Sequence, residues 1–238
     1  MSTPTQMSPG IYGKLPSYGD FVTRRLPTRF LEPWDQWLQE SIADSHDQLG
    51  GRWLEIYLIS PVWRFALSAG TAGQSPWAGL LMPSVDRVGR YFPLTLACPL
   101  PVSSNPIDMA NASEAWYDPA EQLLLSCLDD EFDLAAFDRR VMELGAPPAA
   151  PTADNQYSGP WSARRMPLQG DIGKACPTIL HQSLGELFFA FSLWWTQGSD
   201  MVEPSILVCQ GLPPSRGFAA MLAGDWKRWG WTQYAEGA

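Results

Sequence analysis

Two apolar segments, residues 77–82 and 91–98, flank the charged run Asp86-Arg87-Val88-Gly89-Arg90. That arrangement constrains the middle of the chain more than any other feature. Two consecutive strand-like runs joined by turn residues read as a hairpin and must pair antiparallel. Gly89 supplies the freedom to take the positive φ that such turns often need. The charged tip is open to two readings. Mixed charge is ordinary on a solvated turn, and a turn held out by a rigid sheet is also where recognition resides.

The flanking segments extend this picture. Residues 11–15 read as a short strand cut off by Pro16, 17–20 as a turn, and 21–26 as extended. A helix is expected from Glu32 or Pro33 to about Ala43, with Trp34, Trp37, Leu38 and Ile42 on its buried face and a polar exit over 44–51. Residues 53–59 fit helix or strand equally, and 62–67 reads as a strand. Residues 99–111 read as loop. Asp118-Pro119-Ala120-Glu121 has the form of a capping box opening a helix whose apolar stripe is Leu123, Leu124, Cys127 and Leu128. A further helix spans 133–144, with Leu134, Phe137, Val141 and Met142 inward and Gly145 as its stop signal.

Residues 146–159, rich in Pro and Ala, read as a surface linker rather than a boundary, because the segment C-terminal to them is too small to fold alone; one domain over 1–238 is expected. The run 187–195 lacks alternation and reads as a central strand buried on both faces. Residues 205–210 form another strand, and 213–222 ends in a short helix. No internal repeat is visible. Strands at both ends with helices between predict a three-layer α/β/α sandwich around a mixed, largely antiparallel sheet.

Charge narrows the classes of partner. A net charge of −9 and a pI near 4.6 argue against a broad phosphate-binding face, so no nucleic-acid partner is expected. Arg24-Arg25 and Arg164-Arg165 are local exceptions and read as solvated. Among Cys98, Cys127, Cys176 and Cys209 there is no CxxC spacing; Cys98, Cys127 and Cys209 lie in apolar contexts and read as buried. The run 187–195 is too short to span a bilayer, so no direct membrane insertion is expected. Residues 1–10 are polar and contain Pro, without the pattern of a secretory signal. A cytoplasmic protein with free thiols is the expectation.

Familiar catalytic patterns fail one by one. His46 and His181 stand apart in sequence and fit no triad or metal motif. Gly170-Asp171-Ile172-Gly173-Lys174-Ala175 has the Gly-Lys of a phosphate loop but lacks the first glycine and the closing Ser/Thr. There is no nucleophile elbow or dinucleotide fingerprint. Asp129-Asp130-Glu131 lacks the spacing of a calcium loop. No catalytic residue, cofactor or metal is therefore expected. Trp34, Trp37, Trp63, Trp77, Trp194 and Trp195 read as core; Trp226, Trp229 and Trp231 fit either core packing or an interface.

Three places carry a resemblance. One is Gly10-Ile11-Tyr12-Gly13-Lys14-Leu15-Pro16-Ser17-Tyr18-Gly19-Asp20-Phe21-Val22 with Leu26-Pro27 and Trp34-Asp35-Gln36-Trp37-Leu38. Another is Ser60-Pro61-Val62-Trp63-Arg64-Phe65-Ala66-Leu67 with the stretch 83–94. The weakest is Ser192-Leu193-Trp194-Trp195 with Gly211-Leu212-Pro213. Together they resemble the TagF (ImpM) proteins associated with bacterial type VI secretion, over nearly the whole chain except about 110–160. The resemblance implies an α/β/α sandwich and a cytoplasmic accessory protein that represses secretion post-translationally. Its implied partners are type VI secretion components, an Fha-domain scaffold among them. Some relatives are fused to a PppA-type phosphatase domain; no second domain of that size is expected in these 238 residues, so any phosphatase link would run through a partner. The resemblance carries no catalytic set.

Two hypotheses stand side by side. One is a non-enzymatic regulator that binds secretion components; the other is a cryptic hydrolase using Lys14, Asp20, Asp86 and Arg90. An open cleft with perturbed acids would favour the enzyme, and dry packing of the same residues the regulator. The candidate interaction or structural cluster is Lys14, Asp20, Asp86, Arg87 and Arg90. The two charged turns are expected side by side, with Asp20 or Asp86 pairing Arg87 or Arg90. The oligomeric state is left open.

Overall fold

The computed structural model describes residues 7–112, 114–148 and 172–232. Seven strands form one sheet: β1 (Gly10–Gly13), β2 (Val22–Arg24), β3 (Trp63–Leu67), β4 (Trp77–Met82), β5 (Leu94–Pro99), β6 (Phe191–Thr196) and β7 (Ser205–Gln210). Their order is β2-β1-β5-β4-β3-β6-β7. Every pairing among the described residues is antiparallel, so the expected mixed character is absent. The mixed character was expected because the run 187–195 lacks alternation and reads as buried on both faces. An antiparallel strand loses alternation equally when helices cover both its faces.

Helices lie on both faces, giving the three-layer sandwich. One face carries α1 (Thr28–Leu49), α2 (Trp53–Leu58) and α7 (Phe218–Ala223). Phe30, Trp34, Trp37 and Leu38 of α1 pack there on Phe65, Trp77 and Trp194. The other face carries α4 (Glu114–Leu125) and α5 (Leu134–Leu144), packed on Ala66, Ala78, Leu80, Leu96 and Cys98. Near β6 it is continued by α3 (Pro106–Ala112) and α6 (Ile172–Leu187). Strand alternation assigns the residues: Trp77 and Leu81 face α1, while Ala78, Leu80 and Met82 face α4. Gly79 of β4 sits tightly between its neighbours on β3 and β5. A Cβ there would lie 2.3 Å from the Leu96 carbonyl oxygen and 2.4 Å from the Phe65 ring.

Several expectations are corrected. Helix α1 starts at Thr28 and runs through the polar stretch to Leu49. Buried Ser45 makes that possible: its hydroxyl bonds the Ile42 carbonyl and accepts from the Trp53 indole, and Gly50 at φ 56° then ends the helix. Residues 53–58 resolve as helix. The loop expected over 99–111 contains α3, opened by Asn105, whose side chain accepts from the Ile107 N–H. Asp118 lies inside α4, one turn from its start, so the capping-box reading does not hold. Residues 91–93 fall outside β5, apart from an isolated bridge between Tyr91 and Val85.

In the C-terminal part, β6 begins at Phe191 and lies one strand from the edge rather than at the centre; Leu187 ends α6 and Phe189 is exposed. Met142 and Leu128, expected inward, are exposed. Trp226 is buried, with Trp229 and Trp231 packed partly buried beside it. Helix α5 has the expected Gly145 stop; Asp133, expected as its first residue, is instead its N-cap, the carboxylate accepting from the Ala136 N–H. From residue 149 the expected linker lies outside the described residues, as do Arg164-Arg165 and residues 170–171. No helix among the described residues is long and apolar enough to cross a membrane.

Candidate functional site

Strands β1 and β4 both pair antiparallel with β5, so they run in the same direction and end at the same edge of the sheet. Lys14 follows β1, and the turn bearing Asp86 follows β4. That is why two charged turns 72 residues apart meet. The Arg87 N–H bonds the Tyr18 carbonyl at 2.9 Å, joining the turns through their backbones.

Asp86 is the centre of this hub, and its side chain is inaccessible to solvent. One carboxylate oxygen, Oδ2, accepts from Lys14 Nζ at 2.8 Å and Arg90 Nε at 2.7 Å. The other, Oδ1, accepts from the backbone N–H groups of Val88 at 3.0 Å and Arg90 at 2.9 Å. Burial alone would raise this carboxyl's pKa. The Lys14 ammonium, the Arg90 guanidinium and the two backbone donors outweigh it and hold the pKa well below the usual carboxylate range. The Gly89 N–H bonds the Asp86 carbonyl, with Gly89 at φ 82°, the left-handed conformation expected for this turn.

Lys14 is buried too, with its ammonium 5.1 Å from the centre of the Phe21 ring. Phe21 stacks on Tyr12 and meets Phe92 edge-on at 4.8 Å. Ser84, just before the turn, donates its hydroxyl to the Lys14 carbonyl. The fully buried Tyr57 of α2 locks Ser84 in turn: its hydroxyl donates to the Ser84 carbonyl and accepts from the Ser84 N–H, both at 3.0 Å.

Of the five candidate residues, three converge: Lys14, Asp86 and Arg90. Arg90 also reaches the Gly19 carbonyl, while its side chain stays 57% exposed. Asp20 stands apart, its carboxylate accepting from the neighbouring Phe21 N–H. The Arg87 guanidinium joins no ion pair among the described residues. The pairing expected between the turns is thus made by Asp86 and Arg90 within one turn, with Lys14 as the link to the other. A carboxylate with four donors has no lone pair to spare for a substrate proton, so Asp86 serves as a structural anion, and the geometry lends nothing to the hydrolase reading. Among the described residues no three His, Cys, Asp or Glu side chains are grouped to hold a metal ion.

Sequence reasoning missed two polar devices. One is the Tyr57–Ser84 lock, which local pattern does not announce. The other is Arg64 on β3, buried and held by Glu121 at 2.8 Å and Asp118 at 2.7 Å from α4. Burial opposes the charge on Arg64, but the two carboxylates prevail and raise its pKa further. The signal was available: an arginine within a strand, and two acids three residues apart, one helical turn. The basic pair also divides. Arg24 is exposed, whereas Arg25 grips Asp138 of α5 with both terminal guanidinium nitrogens, Nη1 and Nη2.

Fold and hub together define an antiparallel α/β/α sandwich with an ion-locked hairpin at one end of its sheet. A family model described as TagF N-terminal domain, type VI secretion system-associated, matches residues 10–144, which include the whole hub and the Arg64 clamp. The chain belongs to this family. It is also similar to a solved structure, PA0076 from Pseudomonas aeruginosa PAO1, at 38% identity. That match covers 92% of this chain and 95% of the other with a TM-score of 0.79. No curated protein matches.

Proposed function

We propose that this type VI secretion-associated protein is a non-enzymatic, post-translational repressor that works in the cytoplasm by binding secretion components, an Fha-domain scaffold among them. The family places it with type VI secretion, and the construction of the hub supports binding. Its interior is tied together by the ion pairs of Asp86 and the hydrogen bonds of Ser84, while the same turns hold Val88 at 65% exposure, Phe21 at 43% and Tyr18 at 37%, beside Arg87. A rigid turn that presents apolar and cationic side chains binds without first having to be ordered. The whole chain, 1–238, acts as one domain in this reading.

The test separates the tip from the hub. Arg87→Glu and Val88→Glu change only exposed side chains, so both proteins should unfold at the wild-type midpoint. Overproduced wild type should lower secretion in proportion to dose at unchanged transcript levels, and the two variants should lose that effect. Full repression by both variants at wild-type stability would refute the assignment of the tip. Silencing of secretion by trace amounts, accompanied by turnover of a small molecule, would refute stoichiometric binding.

A further inference from the structure

The hub is not electrically balanced. Asp86 is one carboxylate facing two cations, Lys14 and Arg90, so positive charge is left over. Lys14 and Asp86 are buried, and the surplus therefore reaches solvent through Arg90. The Arg90 guanidinium gives Nε to Asp86 and Nη2 to the Gly19 carbonyl, and its Nη1 makes no hydrogen bond among the described residues. Arg87 adds a second exposed guanidinium, free of ion pairs among the described residues. Its Nη2 lies 3.8 Å from where a Cβ on Gly19 would stand, so both arginines meet at Gly19. Asp20 is the remaining acid of the two turns and is adjacent in sequence. Its carboxylate accepts from the Phe21 N–H and pairs with neither arginine. The exposed charge of the tip is thus two guanidinium groups to one carboxylate, in a chain whose net charge is −9.

We propose that the tip is a carboxylate-recognition site, in which Arg87 and Arg90 grip glutamate or aspartate side chains of an acidic, apolar-interrupted segment of another protein. This names the partner's chemistry for the binding role proposed above and rests on that reading. Charge complementarity selects the occupant: the fold leaves these two cations uncancelled although an acid stands beside them in sequence. A guanidinium fork holds a carboxylate through two parallel hydrogen bonds. An exposed ion pair by itself adds little. Here the arginines stand among Val88, Phe21 and Tyr18, and a segment that covers those side chains also removes water from the ion pairs. Arg90 is already held at two atoms, so less side-chain freedom is lost on binding. The acidic remainder of the chain repels such a segment, which confines the encounter to the tip.

The experiment uses the whole chain and fluorescence anisotropy with two labelled hexapeptides, one alternating glutamate with leucine and the other glutamine with leucine. The glutamate peptide should bind about tenfold tighter than its neutral counterpart, and Arg87→Glu should remove that advantage at unchanged circular dichroism. Arg87→Lys, which keeps the charge and loses the fork, should retain part of it. Arg139→Glu, at an exposed arginine on α5, should change nothing. Equal binding of the two peptides, no binding of either, or binding indifferent to Arg87→Glu overturns the proposal. A peptide with phosphoserine in place of glutamate that binds more tightly also overturns it and gives the site to phosphorylated segments. Secretion does not enter this assay, so the two readings fail separately. If Arg87→Glu loses repression yet binds the glutamate peptide like wild type, the tip still binds and the carboxylate assignment is overturned. If the peptides behave as expected and Arg87→Glu still represses, the carboxylate site stands and the repressor reading of the tip fails alone.

Discussion

Replacing Tyr57 by Phe isolates the support beneath the hub. The ring keeps its stacking on Trp53 at 4.7 Å and its edge contact with Tyr91, so packing is preserved. Only the hydroxyl is lost. Its burial pushes the phenol pKa well above the usual range, so at neutral pH it is a full donor and acceptor. The Ser84 carbonyl keeps the Phe92 N–H at 3.1 Å, but the Ser84 N–H has no other partner among the described residues. One buried donor left without an acceptor costs about 1–3 kcal/mol. For a chain of this size that is roughly 2–12 °C in Tm, at about 2–4 °C per kcal/mol. Thermal unfolding measures the shift, and amide exchange at Ser84 locates it. Tyr18→Phe, at a half-exposed ring in the adjacent turn, is the control and should change neither. A Tyr57→Phe Tm within about 1 °C of wild type would refute the reasoning that this lock braces the turn.

Gly79→Ala should lower stability by about 3 kcal/mol or more, because neither the Leu96 carbonyl nor the Phe65 ring can retreat from the added methyl; a wild-type denaturant midpoint would contradict the close approach. Burial raises the thiols of Cys98, Cys127 and Cys209 to about 12, so a thiol reagent should label Cys176 alone in the folded protein and all four cysteines after unfolding, as counted by mass spectrometry. His181 is held below its ordinary 6.5 by burial, which the nearby Asp108 only partly offsets, so the unfolded chain takes up the proton first. Its contribution is thus intact above about pH 6.5 and is lost as pH falls through that value; His181→Gln should flatten the decline in Tm between about pH 7 and pH 5.

Much of the architecture was legible because its causes are local. The strands at 77–82 and 205–210, the span and stop of α5, and the burial of three cysteines come from alternation, helical periodicity and apolar context, which neighbours in sequence decide. Helices α3 and α6 were not legible. α6 carries Pro177 inside it and leaves Ile179, Leu180 and Leu187 exposed, so its pattern does not declare one buried face. The apolar run 187–195 merged the end of that helix with β6. At the candidate site the sequence by itself supplied the residue types: a lysine and two arginines in turns with acids, and glycine where the backbone needs positive φ. Which charges meet was decided by the sheet. β1 and β4 flank β5, and this common orientation brings Lys14 to Asp86 and leaves Asp20 and Arg87 outside the hub. The same holds for Asp118, which by local rules caps a helix and in the fold clamps Arg64. Local sequence specifies what each backbone segment prefers; an ion pair forms only between side chains that strand order and register have already brought within reach, and neither of those is a local property.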